Sequence, residues 1–241
     1  MANINQVNLD YIKRWEGGLS KDSRDQAAKD PVPDGKGFHT NKGVTWTTFK
    51  AMGPVLGYIP TPALFYQMPD NIWLGIYKRG FWDIVQGDKI NSQAIAELCA
   101  DWVWGTGGYA ISLIQKELNK MGASLPGTST FGPLTLKAMN DLIKTKGEKY
   151  VFEQLINARK QFLINLASNP AYSAFKTGWI NRVNDFYNFA KNKLGNNPVI
   201  PIGLLLVGIG ALLYLGFKNG DLKQTFGVSK EKALLSTGGI V

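Results

Sequence analysis

A chain of 241 residues with 44% hydrophobic and 19% charged content has room for one or two domains around a substantial core, and it is not a general disordered chain. One cysteine, Cys99, and one histidine, His39, exclude an internal disulfide framework and leave little for a zinc centre or a His-based triad. The net charge of +9 fits nucleic acid, an anionic membrane surface or an anionic polymer such as bacterial cell wall. No zinc finger, RNP motif or basic-region heptad is visible, so nucleic acid is not expected as a partner.

The first six residues are polar and lack a basic run followed by an apolar core, so no signal peptide is expected. Ile4, Val7, Tyr11 and Trp15 recur at three- and four-residue spacing, which predicts an amphipathic helix with Glu16 in its last turn. Gly17-Gly18 supplies a left-handed stop. Residues 19–44 are rich in Asp, Ser, Pro and Gly with little periodicity, and Asp34-Gly35 marks a tight turn. This predicts a long loop or small hairpin, and a loop of that length in a compact domain is usually functional.

Thr45 reads as the N-cap of a helix through Met52, stopped by Gly53. Thr61-Pro62 opens a short helix with proline at its first position. Asp70 is expected to cap another, carrying Ile72, Trp73, Ile76 and Tyr77. Ser92 begins a strong one with Ile95, Ala96, Cys99, Trp102 and Val103 on its apolar face, which makes Trp102 a core residue. Gly105-Thr106-Gly107-Gly108 breaks it, and further helices are expected at about 109–121, 133–143, 148–167 and 173–193. Strand patterns are almost absent, so the fold class is mainly α. Residues 199–217 are uncharged and overwhelmingly apolar, long enough to cross a bilayer core of ~30 Å, and are expected to form one transmembrane helix. Lysines flank it on both sides, so orientation stays open. Residues 218–241 form a polar tail.

Glu16 is the residue that most resembles chemistry. Glycosidic cleavage needs a carboxyl that stays protonated near neutral pH, and a second acidic or polar group to stabilise the cation-like transition state or orient water. Ile12 and Trp15 on the same stripe disfavour the anion, and the partially negative C-terminal end of a helix does the same. Asp22, Asp25, Asp30 and Asp34 all lie in the loop that follows, and Thr45 could hold a water.

Glu16-Gly17-Gly18, then Asp22 and Asp25, then Thr40-Asn41-x-Gly43-Val44-Thr45 resembles the glycoside hydrolase family 108 lysozymes, phage and bacterial N-acetylmuramidases with the motif E-G-G, N-D-P-x-D, G-G-x-T-N-x-G-I-T. The resemblance continues through Ile76-Tyr77-Lys78-Arg79-Gly80-Phe81-Trp82-Asp83. Asp101-Trp102-x-x-Gly105, Gln115 to Asn119 and Gly132-Pro133-x-Thr135 are similar to the companion peptidoglycan-binding domain. It implies Glu16 as the catalytic glutamate, Asp25 as the loop aspartate and Thr45 as the motif threonine. Asp22, His39, Asn41 and Trp46 become candidates for substrate binding. No metal or organic cofactor is implied. Two departures stand out: residues 26–38 replace the family's glycine pair by a longer insert, and Thr128-Ser129-Thr130 stands where the family has an Asp-Gly turn.

The expected organisation is a lysozyme-like catalytic domain at 1–94, a helical peptidoglycan-binding-like domain at 95–195 that binds wall or completes the core, the membrane helix at 199–217 and the tail at 218–241. The expected activity is peptidoglycan hydrolysis by a muramidase. A lytic transglycosylase, or a non-catalytic wall-binding or virion and injection-particle module, is the alternative. Peptidoglycan is the expected partner. The protein is expected either anchored by 199–217 facing the wall or carried by phage or injection-particle proteins.

Overall fold

The first helix shows how local chemistry sets the entry to the fold. The Asn3 side chain accepts the Asn5 N–H at 2.9 Å and caps a 3₁₀ turn at Ile4–Gln6; Val7 is then extended, and helix α1 runs over Leu9–Glu16. The single helix expected from residue 4 is therefore interrupted, because the Asn3 cap and the extended Val7 close the first turn. Tyr11 and Ile12 face the core. The computed structural model describes residues 1–194 apart from Asn8 and Arg24. Among the described residues no helix is long and apolar enough to cross a membrane. The segment 199–217 and the tail 218–241 lie outside the described residues.

The long loop does contain a small sheet: Leu19–Ser20 (β1), Thr40–Asn41 (β2) and Val44–Thr45 (β3), antiparallel in that order. Ser20 pairs with Thr40, and Thr40 with Thr45. The β2–β3 turn is Lys42-Gly43 with φ of +50° and +75°, the two left-handed residues that a two-residue hairpin requires. Between β1 and β2, a 3₁₀ turn at Gln26–Lys29 is capped by Asp25.

Helix α2, Trp46–Leu56, begins at the expected Thr45 cap but continues through Gly53 and Pro54 to Gly57, where φ is +76°. Gly53 is needed for a close approach and is no stop: a Cβ there would lie 2.8 Å from the Tyr58 carbonyl oxygen, and the Tyr58 N–H donates to the Gly53 carbonyl at 3.0 Å. Helix α3, Pro62–Gln67, has its Thr61 cap as expected. Helix α4, Asp70–Tyr77, is preceded by Pro69 at the cap position, so Asp70 is its first residue rather than its cap. Its charge still suits a helix N-terminus, 3.7 Å from Lys42. A π-helical turn follows at Lys78–Trp82.

Helix α5, Gln93–Thr106, is capped by Ser92, whose hydroxyl accepts the Ile95 N–H at 3.1 Å. Every residue of 94–104 is buried, Glu97 and Asp101 included, and Trp102 is in the core as expected. Helices α6 (Tyr109–Lys120), α7 (Pro133–Lys146), α8 (Glu148–Leu166) and α9 (Lys176–Ala190) complete the bundle. α5 packs against α6, α8 and the π-helical turn, and α8 packs against α7 and α9. One continuous apolar core therefore runs from Ala2 to Ala190. The described chain is mainly helical, as the sequence predicts.

Candidate active site

Glu16 ends α1, and three neighbours define its surroundings. Gly17, with φ of +65°, turns the chain at once toward β1. The Lys42-Gly43 turn comes back over the carboxyl: a Cβ on Gly43 would collide with Glu16 Oε2 and would lie 2.9 Å from both Glu16 Cδ and the Trp104 ring. From α9, Arg182 brings Nη1 to 2.5 Å from Glu16 Oε1. Glu16 is left 2% exposed, which makes it a buried carboxyl rather than an exposed helix end.

Burial pushes the Glu16 pKa up, the Arg182 charge opposes that rise, and Asp101 adds to it. The net direction is upward, as a proton donor near neutral pH requires. Of the two ways Arg182 acts on Glu16, its charge is the larger, with Nη1 against Oε1. Glu16 Oε1, Arg182 Nε and the Trp104 indole N–H are all buried without a hydrogen bond of normal geometry. The Trp104 indole still weighs toward the ionised form from its position beside the carboxyl.

Arg182 divides its charge. Its Nη2 donates to Asp101 Oδ1 at 2.7 Å, while Arg159 Nη1 donates to Asp101 Oδ2 at 2.5 Å and Arg159 Nη2 to the Asp101 carbonyl at 3.3 Å. Glu16, Arg182, Asp101 and Arg159 thus form a buried row of alternating charge contributed by α1, α9, α5 and α8. Burial alone would raise Asp101, but the charges and hydrogen bonds of the two arginines hold it down to about 2. That depression corresponds to about 2 kcal/mol of stability. Because the folded value lies below the unfolded one, the contribution is complete above about pH 4 and disappears as pH falls toward 2. Urea unfolding at a series of acidic pH values is expected to show this loss.

Neither arginine figures in the sequence reading. A signal was available, however: Arg182 shares a helical stripe with Trp179, Val183 and Phe186, and Asp101 lies among Leu98, Cys99 and Trp102. Charged residues on apolar stripes mark buried partners.

The sheet gathers several of the predicted residues. His39 is fully buried; its Nε2 lies 3.1 Å from the Asp22 carbonyl and its Nδ1 2.9 Å from the Thr40 hydroxyl. A carbonyl only accepts, so Nε2 donates to the Asp22 carbonyl, and Nδ1 shares a hydrogen bond with the Thr40 hydroxyl. Asp25 Oδ1 accepts the Ala27 N–H at 2.9 Å, and its Oδ2 is buried without a hydrogen bond, 3.9 Å from His39 Nδ1. His39 therefore ties the Asp22 main chain to the sheet that flanks Glu16 and stands beside the Asp25 carboxylate. Asp30 and Asp34 are committed elsewhere: Asp30 to Thr47 and Lys50, Asp34 to the Tyr66 hydroxyl and the Lys36 N–H. Those hydrogen bonds hold both below the usual carboxylate range.

Asn41 is buried, and its amide donates to the Phe65 and Tyr66 carbonyls at 2.6 and 3.2 Å. Trp46 lies in the core against Phe49 and Phe65 and presents no face to a sugar. The Thr45 hydroxyl accepts the Thr48 N–H at 3.1 Å and donates to the Thr48 hydroxyl at 2.9 Å. Thr45→Ala is expected to cost about 1 kcal/mol through the lost cap, read by thermal unfolding, and Thr45→Ser to restore it. Behind the site, Trp104 packs on Trp73, Tyr77 and Phe81.

Residues 9–107 match the family model described as Glycosyl hydrolase 108, and residues 109–184 match the one described as Predicted Peptidoglycan domain. The structure of Brucella abortus SagA is similar at a TM-score of 0.56 and 22% sequence identity, over 77% of this chain and 92% of that one. At that identity the likeness is one of fold. No curated protein matches the chain. The two family matches support a glycoside hydrolase acting on peptidoglycan. Arg182 and Arg159 both fall in the second matched region, and Glu16 and Asp101 in the first. The chain is therefore similar to the glycosyl hydrolase 108 family over residues 9–107 and to the predicted peptidoglycan domain over residues 109–184.

Proposed function

We propose that the protein is a muramidase that hydrolyses the bond between N-acetylmuramic acid and N-acetylglucosamine in peptidoglycan, with Glu16 protonating the leaving oxygen. The observation that carries this reading is the Glu16 carboxyl itself, buried at a helix C-terminus with its pKa raised, beside a turn whose glycine leaves Oε2 uncovered by any side chain of its own. Asp25, with one buried carboxylate oxygen unpaired, is the second group that steadies the developing positive charge or orients water. Thr45 serves by fixing the start of α2 and the end of β3.

A second reading has one observation in its favour. Asp25 Oδ1 is already spent on its cap, which suits a lytic transglycosylase that works with a single acid. Digestion of purified peptidoglycan followed by mass spectrometry separates the cases. Reducing-end muramic acid is the expected product; anhydro ends would replace hydrolysis by transglycosylation, and wall binding without any cleavage would leave only a binding or virion module. For delivery, the proposal is that residues 199–217 anchor the enzyme facing the wall, or that a phage or injection particle carries it there. Partition of the full-length protein into detergent or into a larger assembly is the matching observation.

A further inference from the structure

We propose that Arg182, supplied by the peptidoglycan domain region, is a positioning residue for Glu16, and that Asp101 and Arg159 hold its guanidinium in place, so that the second region completes the catalytic centre of the first. The inference rests on the reading of Glu16 as the acid and adds to it the residues that aim and tune that acid.

The row of charges is unequal along its length. At one end Asp101 is saturated: both carboxylate oxygens and its carbonyl accept from arginine, at 2.7, 2.5 and 3.3 Å. At the other end, Glu16 Oε1 meets Arg182 Nη1 at 2.5 Å while Arg182 Nε is buried without a partner. An ion pair kept for stability alone has little reason to leave that N–H unmet, since a buried unpaired donor is costly and apolar residues of equal volume often hold a core as well. Incomplete satisfaction confined to the Glu16 end is what a site holding its acid for a substrate would keep.

Asp101 also determines how much of the guanidinium charge reaches Glu16. A lone arginine at 2.5 Å would hold a carboxyl ionised and useless as a donor. Sharing that arginine with a permanently charged Asp101 weakens its pull, and the proximity of Asp101 raises Glu16 directly. The groups facing Glu16 are Arg182 from α9, Asp101 from α5 with Arg159 of α8 behind it, and the Trp104 indole; Tyr11, on the same helix as Glu16, donates its hydroxyl to the Arg182 carbonyl at 3.3 Å. Tyr77 and Glu97 lie in the field of Asp101, and Lys193 pairs with Glu97 at 2.7 Å.

The test is the titration of Glu16, followed by carboxyl carbon NMR of the labelled full chain, together with the pH profile of peptidoglycan cleavage. Asp101→Asn is expected to lower the Glu16 midpoint by about one pH unit, because Arg182 then acts on Glu16 alone. Arg182→Gln is expected to raise it. Mere loosening would expose Glu16 and lower the midpoint in both variants, so a midpoint in Arg182→Gln at or below wild type overturns the proposal. Should either variant fail to fold, Arg182→Lys decides. An ammonium cannot fork to two carboxylates, so kcat should fall about 100-fold with KM little changed, whereas wild-type kcat would end the proposal. If the wild type cleaves no peptidoglycan, the hydrolase reading itself falls, while the Glu16 titration still reports on Arg182.

Discussion

Glu16→Gln is expected to remove about three orders of magnitude of peptidoglycan cleavage while leaving a fold at least as stable as wild type. The amide keeps the shape of the carboxyl but has no proton to donate, and general acids contribute about 10²–10⁴-fold. The stability half of the prediction follows from linkage. The folded pKa of Glu16 lies above its unfolded value, so ionisation of the buried carboxyl opposes folding between those two values and beyond. A neutral amide removes that opposition. Arg182 keeps Asp101 as its partner and is not stranded. Turnover on purified peptidoglycan and a thermal melt near neutral pH check both parts, and a well-folded variant with full activity would sink the assignment of Glu16.

Gly43→Ala is the second large effect. Gly43 has φ of +75°, which costs an alanine about 1 kcal/mol or more before any contact is counted. The added Cβ then meets Glu16 and Trp104 at once. Trp104 is backed by Trp73, Tyr77 and Phe81 and cannot retreat. The carboxyl or the hairpin must move instead, and a displacement of about 1 Å at a reacting group costs about 100-fold in rate. Gly35→Ala is the control: φ is +77° there, yet nothing lies within 4 Å of the added atom. It should show the backbone cost with activity kept. If the two variants behaved alike in cleavage, the turn would have no part in holding Glu16.

The features legible in the sequence were those written locally. The Glu16-Gly17-Gly18 helix end and the caps at Thr45, Thr61 and Ser92 all depend on neighbours a few residues away, and each forms as predicted. Local reading misled where tertiary contact overrode it. Gly53-Pro54 looks like a helix stop, but the returning 58–60 segment packs onto Gly53 and α2 runs on. Trp46 and Asn41 sit in a motif that resembles a sugar site, yet the hairpin folds them inward, one onto aromatic rings and the other onto the Phe65 and Tyr66 carbonyls. The arginine row was the least accessible part, since no spacing rule links Glu16 to helices α8 and α9. Only the misfit of charge on an apolar stripe points to it.

Helix α5 also bears on how such chains can be recombined. It lies in the first matched region, is buried along 94–104, and packs against α6 and α8 of the second. A chimera joined at about residue 108 would have to match a foreign set of helices to this one face, and to bring an arginine to Asp101 as well. Exchange of the second region, which a flexible linker would permit freely, is here limited to partners whose helices have diverged together with α5.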